Sequence, residues 1–83
     1  MNKLSEIIET YLNGNIKINK KEIENLPIAG IDIVECSYLF GIRTTVKILK
    51  YLGIKDLIII NAFYDYNRED LSEVRQLLLN NFY

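Results

Sequence analysis

Residues 33–49, IVECSYLFGIRTTVKIL, carry two apolar stripes separated by a glycine at position 41, and this break constrains the fold more than any other feature. Upstream, Ile33, Val34, Ser37 and Phe40 recur at helical spacing. Downstream, Ile42, Val46, Leu49 and Leu52 do the same, and Gly53 follows. Each stripe reads as an amphipathic helix ended by a glycine. Phe40, which closes the first stripe, is expected in the core.

The two ends of the chain are also helical in pattern. Leu4, Ile7, Ile8, Tyr11 and Leu12 share one face, and Asn13-Gly14 ends that helix because both residues tolerate positive φ. Leu71, Val74, Leu77 and Leu78 line a last helix, with Asn67 as its expected N-cap and Glu69 and Asp70 near the positive end of its dipole. Between these, NIKIN alternates Ile16 and Ile18 with polar residues, as a short extended segment does. KKEIENL allows one or two helical turns, closed by Pro27, which disfavours helix at Leu26.

KDLIIINAFYDYN, residues 55–67, is ambiguous. Four consecutive aliphatics, Leu57 to Ile60, suit a buried parallel strand or a buried helix, and periodicity alone does not separate the two. As a helix, Leu57, Ile60 and Tyr64 share a face. As a strand, the region completes an α/β unit: strand 31–35, helix 42–52, parallel strand 57–63, helix 69–81, joined by a right-handed crossover.

Composition limits what such a chain can do. At 83 residues it is expected to form one domain, 1–83, burying roughly 60% of its unfolded surface. At 49% hydrophobic it is too apolar for disorder, and a net charge of -1 argues against nucleic acid as its main partner. The single cysteine, Cys36, allows no internal disulfide and lies on an apolar stripe, where an inert thiol is expected. With no His and no phosphate-binding glycine loop, neither an enzyme, a metal site nor a cofactor is expected. The amphipathic start and the short aliphatic runs point to an intracellular or cytoplasmic protein, with no membrane segment.

Three constellations remain. Arg43, Thr44, Lys47 and Lys50 could face nucleic acid if the region around Gly41 were a helix-turn-helix. Lys47, however, falls where an apolar residue should lock the second helix onto the first. Glu69 and Glu73, flanked by Arg68 and Arg75, suit a surface charge lattice. Of the six tyrosines, Tyr11 and Tyr51 suit the core with the hydroxyl at the rim, whereas Tyr38, Tyr64, Tyr66 and Tyr83 are candidates for partner binding, because tyrosine and phenylalanine are enriched in interface cores.

SEIIETYLNGNIKI resembles the BTB/POZ pattern of a helix running into a Tyr-x-x-Gly turn and a short extended piece. KKEIENLPIAGIDIVECSYLFGI is similar to elongin C-like members of that family, with Cys36 and Ser37 as the small mid-helix residues and Phe40, Gly41 and Ile42 as the exit. INAFYDYNREDLSEVRQLLLNNF resembles the helical BACK extension. The resemblance implies two short helices joined at Gly41 and helix over 55–65. The expected fold is thus mostly α, about five short helices with at most one short strand pair. The expected function is a small intracellular protein-binding module, an adaptor or inhibitor acting by surface complementarity on another protein or as a homo-oligomer. The alternative is a small DNA-binding regulator.

Overall fold

The computed structural model describes residues 2–14 and 20–80. Among these residues six α-helices follow one another: α1 (Lys3–Leu12), α2 (Lys20–Glu24), α3 (Gly30–Phe40), α4 (Ile42–Tyr51), α5 (Asp56–Tyr66) and α6 (Leu71–Leu79). A 3-10 turn, Arg68–Asp70, leads into α6. The fold is all-α, with no strand among the described residues. The Ile16–Ile18 segment, Phe82 and Tyr83 lie outside the described residues.

The α/β alternative is overturned, since residues 31–35 lie within α3 and 57–63 within α5. In the second region Ile59, Ala62 and Phe63 are buried while Leu57 and Ile58 are exposed, a 3–4 spacing that a strand cannot produce. β-Branched residues cost a helix only tenths of a kcal/mol each, whereas burying Phe63 and Ile59 stabilises by about 1.5–3 kcal/mol apiece.

The central element is α3, which packs against α1, α4 and α5. Ile33, Val34, Cys36 and Ser37 are all buried along it, so it meets neighbours on more than one side. The buried apolar residues of all six helices form one cluster, with Phe63, Leu4, Ile8 and Leu49 among its largest members. The radius of gyration is 11.8 Å, against about 12 Å expected for a compact chain of this length. Phe40 corrects an expectation. It is half-buried against the edge of the core, because α3 turns its Ile33–Ser37 side inward.

Gly41 alone joins α3 to α4. Its φ of +87° and ψ of 153° lie where essentially only glycine is found. Its N–H donates to Ser37 O (2.9 Å) and its carbonyl accepts from Thr45 N (3.1 Å), so one residue ends one helix and starts the next. At the other end of α4, Gly53 (φ +88°) sits in a Schellman turn. Ile54 N donates to Leu49 O and Gly53 N to Lys50 O, each at 3.0 Å. The turn folds Ile54 back against the core beside Leu49.

Asn2 ties the start of α1 to α3. Its Oδ1 accepts from Ser5 N (2.8 Å), while its Nδ2 donates to Asp32 O (3.3 Å) and Glu35 Oε2 (3.1 Å). Asn67, by contrast, makes no side-chain cap: its Nδ2 donates to Asp70 Oδ2, and the chain enters α6 through the 3-10 turn.

Candidate functional site

Helix α5 buries one side and presents the other. Ile59, Ala62 and Phe63 face the core, whereas Leu57 is 66% exposed, Ile58 46% and Tyr64 48%. The four aliphatics from Leu57 to Ile60 sweep about 300° around a helix, so they cannot all face one core. Ile59 takes the buried position, Ile60 the boundary, and Leu57 and Ile58 are left outside.

Apolar grooves flank this face. On the Ile58 side, a groove of about 480 Å³ is lined by Ile23, Leu26, Ile28, Leu52 and Ile54, with Glu24 and Lys55 also in its wall. The Schellman turn after α4 supplies its floor, through Leu52 and Ile54. On the Ile60 side, a cleft of about 250 Å³ runs between α5 and α6, lined by Asp56, Ile60, Arg75, Leu78 and Leu79. Leu79 is the most exposed large apolar residue among the described residues, at 73%. Lys50 Nζ donates to Asp56 Oδ1 and fastens the end of α4 to the start of α5.

The tyrosines named from sequence are not gathered on one surface. Tyr64 and Tyr66 are both exposed, but residues two apart on a helix do not share a face. The Tyr64 ring lies under the Arg68 guanidinium, 4.3 Å from its centroid, and Arg68 Nε donates to Tyr64 O (2.8 Å). Tyr66 leans over Gly30 at the start of α3. Tyr38 is exposed on α3, eight residues or about 12 Å along that helix from Gly30. Tyr83 lies outside the described residues. Arg68 stacks on Tyr64 where a charge lattice was expected, and among the described residues neither Glu69 nor Glu73 pairs with Arg68 or Arg75. Tyr11 and Tyr51 stack at 5.2 Å, tilted by 44°, with Tyr51 on the surface instead of at the core rim.

Arg43, Lys47 and Lys50 share one face of α4, at spacings of four and three. Arg43 and Lys47 are exposed, Thr44 is half-buried off that face, and Lys50 is engaged by Asp56. Val46 and Ile48, on either side of Lys47, are both buried. One residue joins α3 to α4, where a helix-turn-helix uses a turn of three or four.

Cys36 is fully buried. Burial, reinforced by the negative charges of Asp32 and Glu35, pushes its thiol from 9.0 up to about 11. At neutral pH it is protonated and shielded, a poor nucleophile. Among the described residues, no group of three or more His, Cys, Asp or Glu could hold a metal ion, and no helix is long and apolar enough to cross a membrane.

Sequence reasoning placed Tyr64 in a surface role but missed Leu57, Ile58 and Leu79. The signal was present in the run Leu57–Ile60, which as a helix must leave some of its members outside. No family model, curated protein or solved structure matches this chain.

Proposed function

We propose that this protein is a small protein-binding module that acts by surface complementarity, with the exposed side of α5 as its docking surface. The observation that carries this reading is the placement of Leu57, Ile58 and Tyr64 in solvent between two apolar grooves. Contiguous apolar surface with grooves to receive side chains is what partner proteins cover. Tyr64, held by Arg68, is a pre-ordered aromatic of the kind that anchors interfaces. The BTB-like adaptor role expected from the sequence is one form of this reading. The basic face of α4 supports nucleic-acid binding less well, because Asp56 engages one of its three cations.

A photo-crosslinking side chain at Asn61, in the middle of the exposed side of α5, tests the proposal against the same probe at Glu9 on α1. Protein adducts formed from Asn61 and identified by mass spectrometry, with none from Glu9, are expected. Equal labelling from both positions would remove the docking role from α5.

A further inference from the structure

The exposed side of α5 is complementary to itself. Leu57 and Tyr64 lie on it seven residues apart, and Lys55 and Asp65 ten apart. Both pairs are centred at residues 60–61, close to the exposed Asn61. When two copies of such a helix lie antiparallel across a two-fold axis near Asn61, each residue meets the one equally far on the other side of the centre. Leu57 then meets Tyr64 of the second copy, and Lys55 meets Asp65. In an isologous contact every such pair occurs twice. Neither Lys55 nor Asp65 makes an ion pair within its own chain among the described residues, so both charges are available to the partner.

Position around the helix agrees with position along it. At 100° per residue, Leu57 and Tyr64 fall on the side of α5 nearer α6, and Asp65 falls beside Ile58, on the side of the groove whose wall includes Lys55. A two-fold axis perpendicular to the plane of the two helices keeps each side facing its own kind. The apolar pair therefore lies along one edge and the charged pair along the other. Antiparallel placement also sets opposite ends of the two helix dipoles side by side. At the centre, the Asn61 amides, each both donor and acceptor, can bond to one another.

We propose that the partner covering this face is a second copy of the same chain, docked α5 against α5 in antiparallel sense about Asn61. This rests on the docking role given to α5 above and names its occupant. One short helix per side, with its flanking residues, places the contact at the small end of specific interfaces, and so in the micromolar range.

Sedimentation of the full chain from about 10 μM to about 1 mM tests the proposal. A reversible monomer–dimer equilibrium is expected, weakened at least about tenfold by Leu57→Glu, with the helical circular dichroism unchanged because that side chain is already in solvent. Lys55→Glu and Asp65→Lys should each weaken the dimer several-fold, and the two together should restore it. A chain that stays monomeric at the highest concentration overturns the proposal. So does a dimer indifferent to Leu57→Glu, or a charge exchange that fails to restore association. A monomer that still forms heterologous adducts from Asn61 overturns the second copy alone and leaves the docking role of α5 standing; a monomer with no adducts removes both.

Discussion

Replacing Gly30 by alanine sets two opposite effects against each other, and the structure decides the sign. Gly30 is the first residue of α3, where the helix passes close to α5. A Cβ there would lie 3.2 Å from the Cα of Ala62 and 3.0 Å from Cε2 of Tyr66. Carbon atoms rest at about 3.5–4.0 Å. The Tyr66 ring is half in solvent and can swing away, but Ala62 is buried backbone in the middle of α5 and cannot. The two helices must separate by a few tenths of an ångström. In favour of alanine stand its helix propensity and the stiffer unfolded chain, together at most about 1 kcal/mol and less at a first-turn position. Against it stands overpacking, about 1–3 kcal/mol. The expected net result is a loss of about 1 kcal/mol, which in a domain this small lowers Tm by about 4–8 °C. Urea melts followed by circular dichroism measure it directly. In a Tyr66→Ala background the cost should shrink but not vanish, because the Ala62 contact remains. If Gly30→Ala raises the urea midpoint at constant slope, the close approach of α3 and α5 is not the tightest constraint at that position, and the reasoning fails.

Three further perturbations follow from named groups. Thr45 Oγ1 is buried with no hydrogen-bond partner, so Thr45→Val, which keeps the shape, should stabilise by about 1 kcal/mol; a loss in the same melts would mean that the hydroxyl is bonded after all. Asn2→Ala should cost about 1–2 kcal/mol through the lost cap and the lost bonds to α3. Asn2→Asp should recover little of it, because an aspartate keeps the cap but faces Glu35 with a like charge; full recovery would show that only the cap matters. The raised thiol of Cys36 means that the folded state holds its proton to higher pH than the unfolded state. Its contribution is fully present below pH 9 and is lost as pH rises towards 11, by about 2–3 kcal/mol at most. The stability difference between wild type and Cys36→Ala should therefore shrink across that window, and a difference independent of pH would contradict the burial argument.

Helices α1, α4 and α6 were legible in the sequence because each has one apolar side and one polar side. α5 was implied by the resemblance but not legible from its own periodicity, because its apolar residues surround the helix, and only its packing against α3 and α6 decides which of Leu57–Ile60 turn inward. Gly41 was legible as a break because no other residue accepts its torsion angles so readily. The grooves were not legible, since one draws its walls from α2, the loop before α3, the turn after α4 and α5 together, and the other from α5 and α6. Tyr38, Tyr64 and Tyr66 are exposed, but residue type carries no information about shared faces. Phe40 looked like core because a stripe marks one side of a helix, and α3 is covered on more than one.

Residues 30–51, run as one uninterrupted helix, would form a rod of about 33 Å. The molecule extends 31 Å along its longest principal axis. At Gly41 the chain changes direction instead, and α3 and α4 pack against each other. A residue bearing a Cβ would be strained at that φ, although the space around it is open. The glycine therefore sets the angle at which two helices of the core meet.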